Sequence, residues 1–102
     1  MSGDEVLKRI AHSRIVVLPA SGLAELLVSA EAVREEDTLM AGMIRILVIA
    51  KQVVVQEQTP DREKVIVRAC ASRDEADRFV DDRLSTYDRM WDGCGCKIDY
   101  FA

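Results

Sequence analysis

Residues 72–93 carry the strongest structural signal in this sequence, that of an amphipathic helix with a defined start and end. Ser72 and Glu75 form a capping box, in which each side chain can accept a hydrogen bond from a backbone N–H at the helix start. Apolar residues then recur at intervals of three and four, the spacing of one helical face: Ala76, Phe79, Val80, Leu84, Tyr87 and Met90 or Trp91. Gly93 stands where a left-handed residue would end a helix. The sequence therefore predicts a long helix here, followed by a short apolar strand.

Composition limits the class of protein. A chain of 102 residues is long enough for one hydrophobic core, so we expect residues 1–102 to form a single domain. Apolar residues make up 49% of the chain and charged residues 31%, the balance of a globular protein. The net charge of −4 provides no basic face for phosphate groups, so we expect no nucleic-acid partner.

Targeting signals are not visible in the sequence. The most hydrophobic run, residues 39–55, is interrupted by Arg45 and Lys51 and is shorter than the ~20 residues that cross a bilayer, so we expect no membrane partner. Residues 1–12 have no continuous apolar run of the kind found in a secretion signal. The odd number of cysteines, three, argues against a disulfide framework. Together these features predict a cytoplasmic protein.

The first third of the chain predicts two helices around one strand. A Ser-x-x-Glu capping box precedes a short apolar stripe, which predicts a helix over 3–12. The β-branched run 14–18 predicts a buried strand that Pro19 ends. A turn should follow, with Ser21 as the N-cap of a second helix that ends near Glu36.

The middle of the chain allows two interpretations. Its density of β-branched residues favours a strand over 44–57 with a bulge near Lys51, while its apolar spacing also fits a helix over 38–50. A turn cluster at 59–63 and a second β-branched run at 65–71 favour the strand, because two such runs around a short turn are typical of a hairpin.

After the first short helix the predicted order is β-α-β-β-α-β. This order is that of a ferredoxin-like α+β fold, a two-layer sandwich in which helices cover one face of a sheet. Many unrelated functions use this fold, so the function has to be inferred from a site.

Cys94-Gly95-Cys96 is the motif with the clearest chemical potential. Two thiols at positions i and i+2 of a strand project to the same face, where they can hold a soft metal or cycle between dithiol and disulfide. Zinc sites usually combine two separated pairs of ligands, and this chain offers no second cysteine pair and one histidine, His12. The alternative is that Cys94 and Cys96 are small buried apolar residues.

The predicted topology suggests which residues could join that motif. It places Cys70 and His12 at the opposite end of the sheet, so we interpret Cys70 as a core residue and His12 as a surface residue. It brings Ser21 and Gly22, at the start of the second helix, close to Cys94 and Cys96. A helix N-terminus attracts anions and lowers the pKa of a nearby thiol. These four residues are the candidate ligand-binding site, with Cys94 and Cys96 as candidate metal ligands; a simple cap and turn is the alternative for Ser21 and Gly22.

The sequence contains no recognisable catalytic motif. Asp77, Asp81 and Asp82 lie opposite the apolar stripe of the long helix, which predicts a solvated face. Trp91, Tyr100 and Phe101 either complete the core or form a patch for a partner.

These features favour a non-enzymatic module that self-associates into a homo-oligomer and binds a protein or a small molecule. The alternative is a thiol-based metal or redox protein. Catalysis at a site shared between subunits is a third hypothesis, and no cofactor is indicated.

Overall fold

The computed structural model describes residues 3–38, 42–59 and 61–93. Its helices are α1 (Gly3–Ser13), α2 (Leu23–Val28) and α3 (Arg73–Gly93), and a short 3-10 turn (Ala20–Gly22) precedes α2. Its strands are β1 (Ile15–Pro19), β2 (Glu31–Thr38), β3 (Gly42–Ile49), β4 (Gln52–Gln58) and β5 (Lys64–Cys70). The α+β class is therefore confirmed.

The five described strands form one antiparallel sheet in the order β1-β5-β4-β3-β2. This order and number differ from those of a ferredoxin-like sheet, so the ferredoxin-like arrangement is not confirmed. The predicted final strand lies outside the described residues.

Helices cover both faces of the sheet. One apolar cluster packs under α1 and α2 and includes Val6, Ile10, Val16, Leu18, Leu26, Leu47, Val54 and Val67. A second packs under α3 and includes Ile44, Ile46, Val55, Cys70, Ala76 and Val80. Because successive side chains of a strand point to opposite faces, β3 and β4 contribute to both clusters. The predicted two-layer sandwich is thus corrected to three layers.

The first and last described helices match the prediction. The N–H of Glu75 donates to Ser72 Oγ at 3.2 Å, which confirms the N-cap of α3. The Glu75 carboxylate accepts a hydrogen bond from the N–H of Ala71 at 3.0 Å, one residue earlier than a capping box requires. Helix α1 ends within one residue of its predicted boundary.

The predicted second helix is wrong beyond Val28. Residues 31–38 form β2, in which Glu35 pairs with Arg45 and Glu36 pairs with Ile44 of β3. Pairing along an eight-residue neighbour supplies backbone hydrogen bonds that outweigh the small helix preference of glutamate and alanine.

The middle region is extended, as predicted, but it is two strands. Ala50 and Lys51 have φ angles of 47° and 71° and connect β3 to β4 as a two-residue turn. Positive φ at both central residues is the geometry of a type I′ hairpin. The predicted bulge near Lys51 and the alternative helix over 38–50 are therefore wrong, while the hairpin around 59–63 is confirmed.

Candidate functional site

Two of the four predicted ligand-binding residues, Ser21 and Gly22, lie in the described part of the chain. Ser21 is exposed and Gly22 is buried within the 3-10 turn before α2. The N-cap of α2 is Gly22, with no side-chain cap, so the prediction of Ser21 as N-cap is wrong. Helix α2 has six residues, so its dipole is small and attracts an anion only weakly. Cys94 and Cys96 lie outside the described residues, and their ligand and metal roles stay predictions.

Cys70 and His12 are placed as expected. Cys70 is buried and His12 is exposed. Strand β1 pairs Ile15 with Arg68 and Pro19 with Lys64, so Cys70 lies at the opposite end of the sheet from the 3-10 turn. Burial raises the pKa of the Cys70 thiol, and the charge of Glu75 adds to this effect. Cys70 is therefore a protonated core residue and not a reactive thiolate.

No metal centre is formed by the described part of the chain, where no three His, Cys, Asp or Glu side chains converge. A groove of about 330 Å³ lies beside Cys70 and is lined by Leu7, Ile10, Arg14 and Gln52. The amide of Gln52 is already engaged, because it donates to the carbonyl oxygens of Val53 at 2.9 Å and Cys70 at 3.0 Å. The charged residue of this groove is Arg14, whose Nη2 lies 3.8 Å from Glu75 Oε1.

A buried carboxylate lies between β4 and α3. Glu57 is 4% exposed, and its Oε1 lies 3.3 Å from Arg83 Nη2 and 3.7 Å from Arg68 Nη2. The guanidinium carbons of Arg68 and Arg83 lie 4.8 Å and 5.3 Å from the centre of the Phe79 ring. The ring and the carboxylate thus bind both arginines, which fastens α3 to the sheet. The sequence analysis missed Glu57, although it continues the alternation of Val53 and Val55.

The acidic face of α3 is not simply solvated. Arg34 of β2 donates from Nη1 to Asp77 at 3.0 Å and from Nη2 to Asp81 at 2.8 Å. It also lies 3.3 Å from Glu36. Asp81 and Asp82 are exposed, as predicted, whereas Asp77 is partly buried. Asp77 and Asp81 also tie α3 to β2 through Arg34.

Strand β1 forms one edge of the described sheet and pairs with β5 alone. The N–H of Ala69 donates to the carbonyl of Arg14 at 2.8 Å, and the N–H of Ala20 donates to that of Glu63 at 2.9 Å. The backbone N–H and C=O groups of residues 14 and 20 therefore point toward β5. Those of residues 16 and 18 do so as well, because the direction of the backbone groups alternates from one residue of a strand to the next. The backbone groups of Ile15, Val17 and Pro19 consequently face away from the sheet.

The side chains of this edge are apolar and half exposed. Ile15 is 42% exposed and Val17 is 51% exposed, so the prediction of a buried strand is wrong for this face of β1. A groove of about 380 Å³ runs beside Val17 and Pro19 and is bounded by Glu63 and Lys64. The signal for an edge was present in the sequence, since proline within a strand is largely confined to edges.

The other edge of the sheet has a different character. Strand β2 carries five charged residues, Glu31, Arg34, Glu35, Glu36 and Asp37, whereas Ile15–Pro19 carries none. Charged residues on an edge strand prevent pairing with other chains. The β2 edge is therefore protected, whereas no strand described in residues 3–38, 42–59 and 61–93 covers the outer side of β1.

Comparisons of the chain with protein-family models, with curated proteins and with solved structures found no match. Among the described residues, no helix is both long and apolar enough to cross a membrane. The function is therefore argued from the geometry of the site.

Proposed function

We propose that this chain is a non-enzymatic interaction module that binds an extended polypeptide strand along the free edge of β1. The observation that carries the proposal is the combination of outward-facing backbone groups at Ile15 and Val17 with half-exposed apolar side chains at the same positions. Strand addition uses both features, since main-chain hydrogen bonds give affinity and alternate side chains give specificity.

The contrast between the two edges supports this proposal. The chain is acidic, with a net charge of −4, so composition alone would place charged residues on both edges of the sheet. They are concentrated on β2 instead. An open apolar edge is an aggregation hazard, so a specific occupant is the favourable explanation for β1.

The other functions that the sequence suggests remain hypotheses. Self-association belongs to this proposal and is developed below. A thiol-based function would depend on Cys94 and Cys96, which lie outside the described residues. Binding of a small molecule, the cytoplasmic location and the lack of a nucleic-acid partner are expectations from the sequence.

A displayed library of random ten-residue peptides, selected on the full chain, tests the proposal. A selected peptide titrated into ¹⁵N-labelled protein should shift the amide signals of Ile15 and Val17. Val17→Lys should weaken its binding at least tenfold, because the substitution places a charge on the apolar edge. Ala32→Lys is the matched control, since Ala32 is exposed on the opposite edge strand. Peptides that bind another surface, or that bind Val17→Lys unchanged, would contradict the proposal.

A further inference from the structure

The outward groups of β1 form an unusual set. Ile15 and Val17 each present an N–H and a C=O, whereas Pro19 presents only a C=O because proline has no N–H. The hydroxyl of Ser13 donates to the carbonyl oxygen of Ile15 at 2.9 Å and also lies 3.1 Å from the carbonyl oxygen of Arg9. Among the described residues this leaves two donors, the N–H groups of Ile15 and Val17, and two acceptors, the C=O groups of Val17 and Pro19.

This set is complementary to itself. If a second β1 lies antiparallel across a two-fold axis at Val17, the two Val17 residues exchange N–H and C=O hydrogen bonds. Ile15 then faces Pro19 of the second copy and donates its N–H to the proline carbonyl. The Ile15 carbonyl faces the backbone nitrogen of Pro19 of the second copy, which carries no hydrogen. The same carbonyl oxygen accepts a hydrogen bond from the Ser13 hydroxyl of its own chain. Every outward group therefore has a partner in the symmetric pair.

A strand of arbitrary sequence can also add to this edge, because the Ile15 oxygen has a second lone pair for its N–H. Pairing of β1 with itself needs no such hydrogen bond, since the nitrogen opposite the Ile15 carbonyl is that of a proline. The Ser13 contact and Pro19 are thus matched to each other when β1 pairs with β1.

The side chains agree with the same register. Val17 lies beside Ile66 of β5, so the row across the axis is Ile66, Val17, Val17 and Ile66. In the next row Arg68 lies beside Ile15, and Lys64 lies beside Pro19 of the other copy. These like charges are about three strand spacings apart, roughly 14 Å, which exceeds the Debye length of ~8 Å at physiological salt. Repulsion between them is therefore weak.

We propose that the occupant of the β1 edge is β1 of a second copy of this chain. The resulting dimer has one continuous sheet to which each copy contributes its five described strands. This inference rests on the proposed strand addition, and it names the partner.

Sedimentation of the full chain over a range of concentrations tests the pairing. Wild type should show a monomer–dimer equilibrium. Val17→Lys should raise the dissociation constant at least tenfold, and Ala32→Lys should leave it unchanged. Circular dichroism of each variant checks that the fold is retained.

Cysteine crosslinking tests the register, in a Cys94→Ser/Cys96→Ser background that keeps the buried Cys70. Val17→Cys should form disulfide-linked dimers under mild oxidation, because the two residues face each other across the axis. Ile15→Cys is the matched control on the same face of the same strand. Its two copies would lie roughly 14 Å apart, beyond the ~7 Å that a disulfide allows between Cα atoms. Crosslinking at 15 and not at 17 would overturn the register.

If the chain is a monomer, further measurements distinguish failure of the second copy as partner from failure of strand addition at β1. A monomer at all concentrations that still binds a selected peptide at β1 overturns the second copy as partner and leaves strand addition intact. A monomer whose Val17 amide is protected from hydrogen exchange overturns it as well, and assigns the edge to another segment of the same chain, such as residues 94–102. A monomer with an unprotected Val17 amide and no peptide binding overturns both proposals.

Discussion

Glu57 shows how this small domain accommodates a buried charge. Transfer of a carboxylate from water into a protein interior costs several kcal/mol unless partners compensate. Here Arg68 and Arg83 share one carboxylate oxygen, and both are partly exposed, so that water solvates the cationic side of the cluster. The Phe79 ring lies against both guanidinium groups.

The substitution Glu57→Gln should destabilise the fold by about 1–3 kcal/mol at neutral pH, because it removes the counter-charge of two arginines held in the same cluster. Urea unfolding measures the change. Glu35→Gln is the matched control, since Glu35 also pairs with an arginine of the sheet, Arg45 at 3.3 Å, but is 50% exposed. The control should cost less than about 1 kcal/mol. Equal losses in the two variants would show that Glu57 behaves as a surface charge.

Single residues also show where sequence analysis could have found the site. The sequence predicts that Pro19 ends a strand, but Pro19 lies inside β1, and proline within a strand is typical of a sheet edge. The contact between Ser13 and the Ile15 carbonyl could not be inferred in the same way. It depends on the reversal of the chain between α1 and β1, where Arg14 has a φ of 63°.

Elements with a strong local signal were predicted well, and those that depend on a distant partner were not. Helix α3 has a cap and a continuous apolar stripe, and both are local properties of the sequence. Strand β2 is rich in glutamate and alanine and becomes a strand through its register with β3. The turn at Ala50 and Lys51 lacks the Asn-Gly pair that usually marks a type I′ hairpin, so the sequence showed one strand where there are two.

The contact between Arg34 and Asp77 joins two such elements, β2 and α3. Burial disfavours the charged form of Asp77, but hydrogen bonds from Arg34 and Arg73 outweigh it and lower the pKa of this carboxyl below its ordinary value of 3.8. A carboxyl whose pKa is lower in the folded than in the unfolded state stabilises the fold above its unfolded pKa. That contribution is lost as the pH falls through the folded pKa.

Asp77→Asn should therefore lower the urea midpoint at pH 7, and the difference from wild type should disappear once the pH has fallen through the lowered pKa of Asp77 in the folded state. Unfolding curves recorded at several pH values measure this difference. Asp82→Asn is the control, because Asp82 is exposed on the same helix. Its midpoint should follow that of wild type throughout. A difference between Asp77→Asn and wild type that persists unchanged at acidic pH would mean that the charge of Asp77 is not responsible.

At the scale of the whole molecule, the two edges of the sheet decide how copies of the chain can assemble. Among the described strands, the β1 edge is apolar and has no further strand beside it, and the β2 edge is protected by its charges. A single two-fold contact closes after two copies, so an assembly through β1 alone stops at the dimer. Sequence analysis predicted self-association from composition, but the sheet order is needed to show which strands lie at the edges.

Removal of the β2 charges should convert this closed assembly into an open one. In the variant Glu31→Thr/Glu35→Thr/Asp37→Thr both edges would accept a strand, and two separate two-fold contacts on one molecule generate chains without a limit. Sedimentation and light scattering should show species larger than a dimer that grow with concentration. Addition of Val17→Lys should return the size to a dimer or less, because only the β2 edge then remains open. A triple variant no larger than wild type would show that the charges of β2 do not limit assembly.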